Sequence, residues 1–383
     1  MSIQQYLDGM KKIQENLLDF LENEENEEEN FQNLNSIFAD LKIPDDPHMF
    51  KSLLYLIAKI SNNHHHEQNF FSKIFKILKL FINDIKKNFS NYEIFSIFKG
   101  SNRIILFFID EKVIVIDERI VRKLVSKDRG ENLKYFMTEV KQFSEEKWFP
   151  KRLFYKRSGD IRMRRRVETK TTYIIDEIPD DFCEKRKRGR DDNPIYELIQ
   201  KDMLKEFIAH INQNVIPPDE RLESSTYETN SLLFKRYKIS LIEYAAFFGS
   251  VQIFKYLHNE GVKLERSLWK YAVHGKNHEI IHFLKDNHVE PYDNSYKEVL
   301  KESIKCHHNE LANFFLDNFL SKDDKEIQNF IFEQGIKYHN FAFIQSKLIN
   351  KLSFTSLCQY DYYILVDILL KKFKIDINKK MIF

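Results

Sequence analysis

Between Phe71 and Ile85 the apolar positions Phe71, Ile74, Phe75, Leu78, Phe81, Ile82 and Ile85 fall at steps of three and four, the stripe of a helix that packs on a core. Upstream, Glu15, Asp19, Glu22, Glu24, Glu25, Glu27, Glu28 and Glu29 run without a basic residue, as in a solvated helix end passing into a loop. The segment Ile104 to Asp117, IILFFIDEKVIVID, is dense in branched and aromatic residues. It fits two strands around an Asp-Glu-Lys turn, or the second helix of a pair followed by an extended linker.

The C-terminal half favours the helical reading, because there the chain repeats itself. SLIEYAAFFGSVQIFKYL from Ser240 aligns with SLWKYAVHGKNHEIIHFL from Ser267 at an offset that pairs Leu241 with Leu268, Tyr244 with Tyr271, Ala245 with Ala272 and Leu257 with Leu284. Each unit reads as a short helix, a polar turn near Gly249 or Gly275, and a second helix with an apolar close. That close recurs at Leu257, Leu284, Leu316, Leu348 and Leu370 with uneven steps. A lone helix pair cannot bury both faces, so such units stack side by side. Laying Ile253 to Ala272 over Ile105 to Leu124 makes the earlier segment a degenerate copy of the same unit.

Composition agrees with helices. Only 9 Gly and 8 Pro occur in 383 residues, too few for the many turns of a β protein or the phosphate loops of a nucleotide-binding enzyme. With 34 Phe and 18 Tyr the chain has material for a large core, and its length suits two or three units or an array. A net charge of +2 recruits neither nucleic acid nor anionic membrane as a whole. Apolar runs such as Ile104 to Ile109 fall far short of the ~20 residues of a membrane helix. The N-terminus lacks a signal-peptide pattern, and Cys183, Cys306 and Cys358 are widely spaced. These features point to a monomer inside the cell, cytoplasmic, with a nuclear location as the alternative.

Ser240 to Leu264 resembles the ankyrin repeat: Ser240 stands at the family's Thr, Ala245 and Ala246 at its paired alanines, and Gly261 with Val262 before the next finger. Leu241 and Glu243 replace the family's Pro and His, and the first step is short for that repeat. The segments NNHHHEQNFFSKIFKIL, IFKGSNRIILFFIDEKVIVID, EKRKRG, YETNSLL, HGKNHEIIHFL and IKCHHNE are similar to a large set of divergent ankyrin proteins of parasitic protists, which join a helical N-terminal region to an ankyrin array. The resemblance implies an all-α, ankyrin-like helical-repeat solenoid with short or degenerate fingers. It divides the chain into a helical region 1–146, a basic linker 147–192 and an array 193–383. It implies a non-enzymatic scaffold that binds protein partners, identity unknown, through its concave face, with no cofactor and no catalytic residue.

Candidate chemistry is sparse. Glu265, Arg266, Trp269, Lys270, His274 and Tyr292 are the residues expected on the partner-binding surface, with the core as the alternative for Trp269, and Glu243 beside His274. Lys147 to Lys170 carries ten basic and two acidic residues interleaved with Phe149, Phe154 and Tyr155. Its Arg162, Arg164, Arg165 and Arg166 form a basic patch, the basis of an alternative function in nucleic-acid association. Lys185 to Arg190, KRKRGR, matches a nuclear-localisation pattern, while in the resembling family a similar EKR stretch leads into the next helix pair. His64, His65 and His66 are consecutive and cannot share one tetrahedral ion, and Cys306, His307 and His308 lack a further ligand, so no metal is expected. No nucleophile triad, phosphate loop or HExxH occurs.

Overall fold

The computed structural model describes residues 1–63, 69–126, 134–143, 146, 149, 178–189, 193–222, 225, 227–230, 232, 233, 238–292 and 294–373. The described chain is all-α, with 21 α-helices and, among the described residues, a single strand pair. It forms two compact units. One comprises Met1–Phe81, Pro194–Leu222 and Lys238–Phe383; the other comprises Ile82–Asn193 and Glu223–Tyr237.

The first unit opens with α1 (Ile3–Glu22), α2 (Glu27–Asp40), α3 (Pro47–Asn63) and α4 (Phe70–Leu80). Ser2 and Gln5 close a reciprocal capping box at the start of α1, whose Tyr6, Met10, Ile13 and Leu17 are buried at helical spacing. The acidic block is split between two helices. Glu22 ends α1, while Glu27, Glu28 and Glu29 occupy the first turn of α2, where the helix dipole favours negative charge. Lys76 of α4 lies 2.9 Å from Glu28 and 3.6 Å from Glu27.

The expected stripe from Phe71 runs through α4 and, after a break at Phe81, into α5 (Ile82–Asn88), the first helix of the second unit. There α6 (Asn91–Phe98) and α7 (Asn102–Asp110) form a helix pair, followed by α8 (Glu118–Ser126), α9 (Met137–Val140) and α10 (Phe182–Arg188). Ile104 to Asp110 is helical, and residues 114–117 carry neither helix nor strand, so the helix-plus-linker reading describes this segment. Asn91 holds the linker, accepting from the Val115 N–H at 2.9 Å and donating to its carbonyl at 2.8 Å.

The first unit resumes with α11 (Pro194–Gln200) and α12 (Leu204–Gln213), then β1 (Arg221–Leu222) antiparallel to β2 (Ile239–Ser240). Helix pairs follow: α13 (Leu241–Phe248) with α14 (Val251–Asn259), α15 (Leu268–Gly275) with α16 (His278–Asp286), and α17 (Lys297–Lys305) with α18 (Asn309–Phe319). The chain ends its described part with α19 (Lys325–Tyr338), short 3-10 turns at Phe341–Phe343 and Ser346–Leu348, α20 (Phe354–Gln359) and α21 (Tyr363–Phe373). The first helices pack in series, α11 on α13, α13 on α15, α15 on α17 and α17 on α19. The second helices α12, α14 and α16 do the same.

Inside these pairs the turn has one solution. A residue with left-handed backbone ends the helix, at Asp202, Gly249, Lys276, His307, His339 and Asp361, with φ between 49° and 69°. In five of these turns the next N–H donates to the carbonyl five residues back at 2.9 or 3.0 Å, from Met203, Ser250, His308, Asn340 and Tyr362. That is the Schellman closure, which satisfies an orphan helix carbonyl. The repeat expected to close at Leu348 departs from this scheme after its turn. Where a second helix was expected, Gln14 of α1 accepts from the Phe341 N–H at 2.6 Å and donates to Asn340 at 2.8 Å. The N-terminal helices thus seat on turns of the C-terminal helices, with Tyr55 donating to Asp361 at 2.7 Å and Glu22 paired with Lys276, in the turn between α15 and α16, at 2.5 Å.

Candidate functional site

The residues expected on the binding surface divide into two groups. Trp269 is 2% exposed, its indole N–H donates to the Val289 carbonyl at 2.6 Å, and its ring meets Tyr296 and Phe315 edge-on. His274 is 1% exposed. Both are therefore core residues, because α15 is sandwiched between α13 and α17: Trp269 takes the core alternative, and His274 does not lie on an open face as expected. Glu243 is also buried. It accepts from the Ser240 N–H and hydroxyl at 3.0 Å in a capping box and from the Ser267 hydroxyl at 2.7 Å, so it ties one repeat to the next.

Glu265, Arg266 and Tyr292 are exposed, and Lys270 is half-buried. Four of the six come together: Arg266, Lys270, Tyr292 and one face of Trp269 line a cavity of about 180 Å³ with Pro291, Glu298 and Val299. Arg266 lies 3.7 Å from Glu290, an exposed pair that contributes little to stability. Arg162, Arg164, Arg165, Arg166 and the His64 to His66 run lie outside the described residues. Of the KRKRGR motif, Lys185 to Arg188 end α10 and Gly189 caps it. Arg186 is 4% exposed, with its two terminal nitrogens on Glu139 at 2.7 and 2.8 Å, so the centre of the motif is turned inward.

A second constellation was not assembled from the sequence. Positions i, i+3 and i+4 place Glu302, Lys305 and Cys306 on one side of α17, and His274 of α15 faces them. His274 Nε2 lies 2.7 Å from Glu302 Oε1 and 3.4 Å from Cys306 Sγ, and Lys305 Nζ lies 2.6 Å from the same carboxylate oxygen. Burial alone would raise the Glu302 carboxyl, but the His274 hydrogen bond and the Lys305 charge outweigh it and hold it far below the usual carboxylate range. Burial lowers His274 against the pull of Glu302, and raises the Cys306 thiol with help from the Glu302 charge. The carboxylate only accepts, which assigns the proton to Nε2 and leaves Nδ1 a buried acceptor with no partner.

A cysteine, a histidine and a carboxylate suggest a nucleophile triad, but the geometry differs. A triad uses both ring nitrogens, one toward the nucleophile and one toward the carboxylate. Here both partners share Nε2, and all three groups are buried. Among the described residues these three are the group whose ligand atoms converge closely enough to hold a metal. His307 and His308, beside Cys306 in sequence, do not join it. His308 Nδ1 meets the Val273 carbonyl at 2.8 Å, and His307 Nε2 points to the His339 carbonyl at 3.4 Å.

No family model, curated protein or solved structure matches the chain. Among the described residues no helix is long and apolar enough to cross a membrane.

Proposed function

We propose that the chain is a non-enzymatic intracellular scaffold whose stacked helix pairs build an ankyrin-like solenoid with short fingers. The observation that carries this reading is the serial packing of α11, α13, α15, α17 and α19, each with the same left-handed turn behind it. Short connections at 260–267, 287–296 and 320–324 between the pairs support the shortened fingers. The Ser240, Glu243 and Ser267 bridge supports the register, since it joins equivalent points of consecutive units.

Binding in such an array works by surface complementarity. A few aromatic and cationic side chains at a pocket supply most of the affinity, while the surrounding contacts exclude water. Tyr292, 66% exposed beside Arg266 and Lys270, has that character. Replacing Arg266, Lys270 and Tyr292 together by Ala tests the placement. A protein retained by the unaltered chain should be lost by the variant while thermal melting stays the same. Undiminished recovery refutes this surface as the binding site.

A further inference from the structure

We propose that His274, Glu302 and Cys306 bind one Zn²⁺ ion that joins α15 to α17. The donors are an imidazole nitrogen, a carboxylate oxygen and a thiol sulfur, the set this ion prefers, and their ligand atoms lie within 4.8 Å of one another. Bond lengths of about 2.0 Å to nitrogen and 2.3 Å to sulfur put a tetrahedral nitrogen–sulfur edge at roughly 3.5 Å. The observed separation of Nε2 and Sγ is 3.4 Å. The nitrogen–oxygen edge, now 2.7 Å, must open by about 0.6 Å to reach its tetrahedral value. Two ligands one turn apart on α17 and a third from the neighbouring pair fix three corners and leave the fourth for water.

The charges balance. At present the Glu302 carboxylate is neutralised by the Lys305 ammonium. On binding, Cys306 loses its thiol proton to solvent, and His274 moves its proton from Nε2 to the partnerless Nδ1. One proton is released, and Zn²⁺ faces one thiolate and one carboxylate. The ammonium is then surplus and swings out, a short path because the Lys305 side chain is already 16% exposed while that of Glu302 is 3% exposed. Among the described residues, Lys270, Lys305 and Tyr338 are the other charged or titratable groups whose fields reach this cluster.

The test uses the full chain with Cys183→Ser and Cys358→Ser, which removes the two exposed thiols and leaves Cys306. Co²⁺ stands in for Zn²⁺, and the reading is the thiolate-to-cobalt charge-transfer absorption. The site predicts a band that saturates at one ion per chain, disappears on adding Zn²⁺ and is absent after Cys306→Ala. Lys305→Met, which removes the competing cation without touching a ligand, should tighten Co²⁺ binding by about tenfold. A chain that shows no such band, whether cobalt is added to the folded protein or present during refolding, overturns the proposal and leaves a hydrogen-bonded knot. A band that survives Cys306→Ala overturns it as well.

Discussion

The turns at Gly249 and His307 occupy the same place in consecutive repeats but one, and they differ in what fills it. Both residues are left-handed, with φ of 69° and 60°, and both are followed by a Schellman bond, Ser250 to Ala245 and His308 to Ser303. At Gly249 the neighbouring pair is close. A Cβ there would lie 3.2 Å from the Gly275 carbonyl and 3.3 Å from Asn277 Cβ. At His307 the neighbouring turn stands back far enough to bury an imidazole against the His339 carbonyl. The backbone is therefore set by the repeat, and the residue by the space between repeats. A left-handed residue with a Cβ costs about 1 to 2 kcal/mol, which burial can offset at His307. Val215, with φ of 54° and 87% exposure, has no such compensation.

The largest expected effect uses pH to break the histidine turn while sparing the glycine turn. Burial lowers His307 to about 4, despite backbone hydrogen bonds that raise it, and lowers His339 well below the ordinary imidazole value. At neutral pH both rings are uncharged in the folded and unfolded chain and add nothing. Below the ordinary value of 6.5 the unfolded chain takes a proton that folded His307 refuses until about 4. Stability should fall by about 1.4 kcal/mol per pH unit across that window, or about 3 kcal/mol in all for His307 alone. Urea midpoints between pH 7 and 4 measure it, and His307→Asn should flatten the slope.

Next comes the glycine side. A Cβ at Gly275 would sit 2.3 Å from the Ala246 carbonyl and 3.0 Å from the Gly249 nitrogen, both backbone atoms that cannot move alone. Gly275→Ala should cost about 2 to 3 kcal/mol by urea denaturation. Gly261→Ala, with φ of 92° and nothing within 4 Å, should cost only about 1 kcal/mol. Equal losses would show that the close approach at Gly275 relaxes at little cost and does not require glycine. Val215→Gly should raise stability by about 1 kcal/mol, since it removes the strain and leaves the contacts intact. Tyr292→Ala should change the melting midpoint least, by an equivalent of under about 0.5 kcal/mol.

Much of the helical layout was readable from residue spacing. Ser240 and Ser267 stand before α13 and α15, and Ala245, Ala272, Leu257 and Leu284 are all buried as the repeat alignment requires. The second turn falls near Gly275 as the spacing predicts; its left-handed residue is Lys276, and the glycine serves the close approach to α13. Scarce glycine hid the rest. Among the described residues eleven non-glycine positions have positive φ against three glycines, and eight of the eleven are Lys, His, Val or Tyr, residue types that announce no turn. The surface set was only partly legible, because α15 is packed between α13 and α17, which buries the polar His274 along with the apolar Trp269. The His274, Glu302 and Cys306 cluster was not legible. It depends on the register of two helix pairs, and the neighbours of Cys306 in sequence, His307 and His308, turn instead to the His339 and Val273 carbonyls.

Gln14 and Asn340 are 326 positions apart, yet their amides meet in the interior. Synthesis delivers α1 hundreds of residues before its seat. Until Asn340 and Phe341 leave the ribosome, a fully buried amide has no partner and Tyr6 lacks the Phe341 ring it will pack against. The N-terminal helices must therefore wait, exposing apolar surface, while the array grows behind them. Chains interrupted before Phe341 should be the ones that chaperones hold.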